Sequence, residues 1–293
     1  MSRSVVFFLI PALLLVTFIL YPTVETVRWG FWEWEGRRMT GFGGLSNYTQ
    51  LLTDRSFLDL SRFPTQSPPY GAMIHVILWI VIFLPTTAML GLVLAVLLRD
   101  VRGGAIVKSA IFLGMVVSLV VGGMIMRFMY DEHAGTVNGF LQFIGLGGIT
   151  RTWTAFPETA LFALILGSIW IWTSFSLVIY SAGLELIPGE LYEAAAVDSA
   201  SSWTIFWRIT VPLLAPSTVI VVIMSLMWVL RVFDIVYVAT LGGPGGATTV
   251  LGLLIYFNAF YRIPPDIGLA SALATFLILV SLPISLYLMR QTK

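Results

Sequence analysis

No cysteine occurs in the 293-residue chain, which excludes disulfides, thiolate metal sites and thiol nucleophiles. Histidine is nearly absent too. His75 and His133 are the only two, stand far apart, and supply no ligand set for a metal. Charge is scarce, at 11% of residues, against about 25% in soluble domains. With 58% hydrophobic residues and a mean hydropathy of +0.93, the chain cannot cover a soluble surface with charge. It is an integral membrane protein. The net charge of +1 implies no nucleic-acid partner. No G-x-x-x-x-G-K-[ST] phosphate cradle occurs, so no nucleotide or other cofactor is expected on this chain. The Gly242–Gly246 cluster lacks the following lysine and suits a turn. No nucleophile–base pair stands out in the apolar runs, which argues against an enzyme.

Long apolar runs are what the sequence has. A spanning helix needs roughly 20 mostly apolar residues. Six runs qualify: Val5–Val24, Met73–Leu98, Ser109–Met126, Thr159–Leu184, Leu213–Val238 and Ile267–Leu288. None alternates with period two, so a membrane barrel is excluded. The expected fold is all-α, a single transmembrane domain of six helices over residues 1–293. Arg3 ahead of the first run suits a signal peptide. Pro11 interrupts that run, however, and Tyr21-Pro22 stands where a small-residue cleavage site belongs, so a retained helix is expected.

Six spans put both termini on one side. Arg99, Arg102 and Lys108 crowd one short link, with Arg3, Arg290 and Lys293 on the same side. Basic density in short loops marks the cytoplasmic face, so both termini are expected in the cytoplasm. The opposite connections are longer: 28–70, 128–158 with a short apolar-patterned helix over 137–144, and 240–266. Arg127 and Asp131 are candidates for a boundary ion pair.

The segment 185–212 is amphipathic and reads as two short helices. Pro188 and Gly189 stop the fourth span. Glu190 and Glu193 fall in the first turn of a new helix, where the macrodipole favours carboxylates. Ala194, Ala195 and Ala196 form helix strongly and have little bulk, so another surface can approach closely. Ser201 and Ser202 suit the cap of a second helix. On the residues alone, a helix lying in the membrane interface fits as well.

The pattern Glu193-Ala194-Ala195, Asp198, Ala200, Phe206, Ile209, Pro212, Pro216 resembles the E-A-A-x-x-D-G-A…F…I-x-x-P…P loop of binding-protein-dependent ABC importer permeases. Gly44-Leu45-Ser46-Asn47-Tyr48 resembles the G-L-x-N-Y of their carbohydrate branch, which includes the maltose-transporter membrane subunits. Phe233-Asp234-Ile235-Val236-Tyr237, then Thr240 and Gly242-Gly243-Pro244, is similar to its F-D-x-x-Y…T-x-G-G-P. The resemblance covers nearly the whole chain. Ser199 departs from the usual glycine, whose freedom permits φ > 0 between the two short helices. Gly114 and Ser118 stand in the third span where relatives carry proline. The sixth span starts Asp266-Ile267-Gly268 rather than with aromatic-glycine.

The resemblance implies a transport subunit of a prokaryotic inner membrane. Glu193, Ala194, Ala195, Asp198, Ser199 and Ala200 would form a coupling helix and its turn, seated in a groove of a cytoplasmic ATPase. ATP and Mg would sit on two such ATPase subunits. A second homologous permease and an extracytoplasmic solute-binding protein would complete the assembly, with a sugar as substrate. An ion-coupled secondary transporter is the alternative from residues alone.

A sugar pathway needs aromatic faces and small polar groups. Ser168, Trp172 and Phe175 lie at i, i+4 and i+7 of the fourth span. Ser225, Trp228, Arg231 and Asp234 stand along the fifth. Trp172, Phe175 and Trp228 fall at pathway positions by resemblance to the maltose-type subunit. Arg231 lies about 27 Å along a continuous helix from Leu213. That is near the outer edge, where an Arg231–Asp234 ion pair and a substrate contact both fit.

Overall fold

The computed structural model describes residues 3–291, with side chains for 8–287. Lys293, counted above for orientation, lies outside the described residues, as do the side chains of Arg3 and Arg290. The first apolar run forms one helix, α1, over residues 3–29, with a π-helical turn at Val16–Leu20. Pro11 sits inside it without ending it. From Phe8 to Tyr21 every side chain of α1 is exposed.

The long connection after α1 is structured, which the apolar pattern does not disclose. A hairpin pairs β1 (Trp32–Glu35) with β2 (Arg38–Phe42) antiparallel, Trp32 opposite Phe42. Helix α2 (Ser46–Thr53) follows. The second run is α3 (Ala72–Leu97), continuous through Pro85.

The third run is not the single helix expected. It splits into α4 (Gly104–Val116) and α5 (Leu119–Met129), bent by 103°. Val117 and Ser118 are extended, and Ser118 Oγ accepts from Val121 N at 3.3 Å, capping α5. The bend lets Gly123 of α5 approach α11 so closely that a Cβ there would stand 3.1 Å from Ile235 O, a tight contact. Helix α6 (Thr136–Phe143) matches the expected short helix.

The fourth run is α7 (Pro157–Glu185), started by proline at its first turn. Then come α8 (Gly189–Val197) and α9 (Ser202–Leu213). The fifth run is also broken: α10 (Ala215–Leu230) stops, Arg231–Phe233 are non-helical, and α11 (Asp234–Thr240) restarts. Helix α12 (Leu251–Tyr261) is apolar and too short to span, and α13 (Ile267–Gln291) closes the chain. By length and apolarity α1, α3, α7 and α13 can each cross a membrane, and two bent pairs, α4–α5 and α9–α10 (bent by 64°), bring the number to six if each is one span.

Helix α7 is the central element. Small residues bring its neighbours to backbone distance, the mode that drives helix association in lipid. A Cβ on Gly91 of α3 would overlap Ser176, one on Gly114 of α4 would meet Ser174 Oγ at 2.9 Å, and Gly183 leaves no room beside Ser217 of α10. The core divides in two. A large cluster joins α3, α5, α7 and α10–α13. A smaller one, with Ala95, Leu177, Leu184 and Leu214, lies beneath α8.

Candidate functional site

Helix α8 starts directly after Pro188, with Glu190 in its first turn. It ends in a Schellman motif. Ser199 N donates to Ala196 O at 3.0 Å, and Ala200 N to Ala195 O at 2.9 Å. That closure needs a left-handed residue at the position Ser199 occupies, and Ser199 adopts it, at φ 55°. The turn usual with glycine is therefore retained with serine. Ser201 Oγ then accepts from Thr204 N at 3.2 Å, so Ser201 is the cap of α9 and Ser202 its first residue.

Glu193, Ala194, Asp198 and Ser199 are exposed, together with Val197 and Trp203. Ala195 is turned inward and buried at 9%, and Ala200 is half-buried. The face open to a partner is thus Glu193-Ala194 and the Asp198-Ser199 turn, while Ala195 packs on its own chain.

The second region is an aromatic wall. Trp172 and Phe175 of α7 stand 5.5 Å apart by ring centroid, and Trp172 lies 5.2 Å from Trp228 of α10. Phe83 and Trp79 of α3, which the periodicity of the fourth and fifth runs could not disclose, complete it at 5.0 and 5.6 Å from Trp228. Their signal was a Trp and a Phe four residues apart in an apolar run. Two adjoining hollows of ≈ 250 and ≈ 430 Å³ run along this wall and share Leu119, Trp172 and Met224. Trp228, Arg231 and Asp234 line the first, Phe175 and the Val117–Ser118 break the second.

Five of the seven expected pathway residues therefore border one cleft. Ser168 does not. It is fully buried and donates to Leu164 O at 2.8 Å. Ser225 is buried at 1% and also lies off the cleft lining. The expected Arg231–Asp234 ion pair is absent among the described residues. Arg231 Nε donates instead to Met227 O at 3.1 Å, because the helix ends between the two residues and they no longer share a face. The Arg127–Asp131 pair is likewise not formed. Asp131 accepts from His133 N and Ala134 N, and these bonds hold its carboxyl below the usual range.

The Thr240–Thr249 turn is knit by its own hydroxyls. Thr248 Oγ1 lies 2.7 Å from Thr240 Oγ1 and donates to Gly243 O at 2.9 Å. Gly242, at φ 79°, has Thr249 Oγ1 where a Cβ would go. His75 of α3 anchors the turn. Its Nε2 accepts from Tyr70 N, so Nδ1 carries the proton and donates to Thr249 O at 2.7 Å.

The chain belongs to the family of binding-protein-dependent transport system inner membrane components, whose sequence model matches residues 1–291. It is an ABC importer permease, a transport component rather than an enzyme. A probable ABC transporter permease of Pyrococcus horikoshii is 53% identical over 253 residues, 85% of each chain. The trehalose/maltose transport system permease MalF of Thermococcus litoralis is 34% identical, covering 94% of this chain and 90% of its own. The fold matches a crystal structure of a bacterial alginate ABC transporter with its periplasmic protein, with a TM-score of 0.77 at 21% identity over 97% of this chain and 92% of that one. The ion-coupled alternative finds no support in these relatives.

Proposed function

We propose that the chain forms, with a second homologous permease, the translocation pathway for a sugar or oligosaccharide delivered by an extracytoplasmic solute-binding protein. Six spans cross the inner membrane with both termini in the cytoplasm. The 185–212 loop faces the cytoplasm and seats α8 in a groove of one of two ATPase subunits, which hold ATP and Mg. The observation that carries this is α8 itself. It is a rigid, Schellman-closed helix whose exposed face offers a carboxylate, Glu193, beside an alanine. A stiff helix with a pairable charge transmits displacement. The cleft supports the substrate class. Trp172, Phe175 and Trp228 give faces for sugar C–H groups, and Arg231 and Asp234 at its rim give one donor and one acceptor set. The trehalose/maltose transport role of the Thermococcus relative points the same way.

The test is reconstitution of the complex in lipid nanodiscs, with ATP hydrolysis followed on adding binding protein with maltose, trehalose or lactose. Stimulation by a sugar that Glu193→Lys abolishes, with assembly intact, is expected. Stimulation and uptake unchanged in Glu193→Lys would overturn the docking role of α8.

A further inference from the structure

We infer that Tyr192 is the joint through which α8 holds the two helices that carry the aromatic wall. This rests on the reading of α8 as the ATPase-docking helix. Tyr192 precedes Glu193 and points the other way: Glu193 is exposed, and Tyr192 is half-buried on the smaller hydrophobic cluster.

Its ring and its hydroxyl reach different helices. The guanidinium of Arg99 stands 4.7 Å from the ring centroid, within the range of a cation–π contact. Arg99 is the second residue past the end of α3 and forms no ion pair among the described residues. The ring face is the counterpart the structure gives that charge. The hydroxyl lies 3.3 Å from Thr210 Oγ1, and Thr210 is buried at 4% in α9, which leads into α10.

The same two helices give three of the wall's five rings, Trp79 and Phe83 in the half of α3 away from Arg99 and Trp228 at the far end of α10. A helix transmits an axial push along its length, and α3 is uninterrupted over 26 residues. A displacement of α8 therefore reaches Phe83 along α3, and it reaches Trp228 through α9 and the 64° bend at which α9 meets α10. Tyr192 touches neither cleft nor ATPase face, so it is a positioning residue. Its ring carries the link to α3 and its hydroxyl the link to α10.

The absence of cysteine makes the test direct. Spin labels at Val81→Cys on α3 and Glu190→Cys on α8, both exposed positions, report the distance between the helices in the assembled complex. The distance is measured without nucleotide and with ATP–vanadate. With Tyr192 present the two helices move together, and the distance is the same in both states. In Tyr192→Leu it shifts by about 2 Å or more, the scale of helix shifts in switching proteins. Tyr192→Phe keeps the ring and restores the fixed distance, and Arg99→Gln behaves like Tyr192→Leu. A nucleotide-independent distance in both Tyr192→Leu and Arg99→Gln overturns the joint, provided that Glu193→Lys still abolishes the stimulation of ATP hydrolysis. If sugar-stimulated ATP hydrolysis is the same in wild type and Glu193→Lys, the docking reading falls and the joint falls with it. Should Tyr192→Leu fail to assemble, Arg99→Gln decides by the same distance.

Discussion

The side chain of Asn47 occupies the space that a side chain on Gly268 would need. A Cβ there would stand 2.6 Å from Asn47 Oδ1 and 2.8 Å from Nδ2. Asn47 is buried and donates to Gly30 O at 3.0 Å and Trp32 O at 2.8 Å. One amide thus ties the end of α1 and the start of β1 to the first turn of α13. This is the physical content of the Gly44–Tyr48 motif in this chain. Gly268→Ala is expected to destabilise the fold by about 1–3 kcal/mol, the usual cost of overpacking. A thermal melt of the purified chain followed by circular dichroism would register it, and an unchanged midpoint would contradict the contact.

Ser199 holds a left-handed backbone that costs an L-residue roughly 1–2 kcal/mol. Glycine adopts it freely but loses more chain entropy on folding. Ser199→Gly is therefore expected to stabilise the protein by a net of about 0.5–1 kcal/mol. Ser199→Val, β-branched at the same φ, should do the reverse. Paired melting midpoints of the three proteins give the sign.

In the cleft, Trp172 is shared by both hollows, whereas Ser168 is sealed in the core. Trp172→Leu should lower sugar uptake by about tenfold, equivalent to ~1.4 kcal/mol, while the ATPase still co-purifies. Ser168→Ala should leave uptake within about twofold, since its hydroxyl only bonds its own helix and a difference under ~0.5 kcal/mol is expected there. Equal losses in both variants would remove the cleft as the pathway.

The turn after α5 carries a pH dependence whose sign follows from Asp131. Its folded pKa is lowered by the bonds from Ala134 N and His133 N. The stabilisation is therefore present above the unfolded carboxylate value of about 3.9 and lost as pH falls through the lowered folded value. Amide exchange at His133 and Ala134, corrected for intrinsic rates, should stay protected from pH 8 to 5 and open only in stronger acid. Asp131→Asn should show no such acid step.

Much of this architecture was legible from residues alone. Span α7 matches the fourth run to within two residues at its start and one at its end, because an apolar stretch bounded by Pro157 and by Glu185 carries its own limits. The two short helices after it were legible from Pro188, the alanines and Ser201. The break at Val117–Ser118 was not, since the residues on both sides are equally apolar and a single serine cap leaves no gap in hydropathy. The break at Arg231–Phe233 did leave two charges, Arg231 and Asp234, but on a continuous helix these fit an ion pair as well as a helix end. The inward turn of Ala195, the burial of Ser168 and the place of Trp79 in the wall depend on which helices meet. That is decided by close approaches such as Gly91 on Ser176, which no single-helix periodicity contains.

The division of the core has a spectroscopic consequence. The larger cluster holds Trp79, Trp172 and Trp228, and the smaller one holds no tryptophan but has Tyr180 and Tyr192. Contiguous units of a fold can open separately. Emission from Trp228 alone, the other nine tryptophans being replaced by phenylalanine, then follows the cleft, and a lone tryptophan at Tyr192→Trp follows the end where α8 is seated. Two single-tryptophan proteins thus follow the two halves, and the interval between their melting midpoints measures how tightly those halves are bound together.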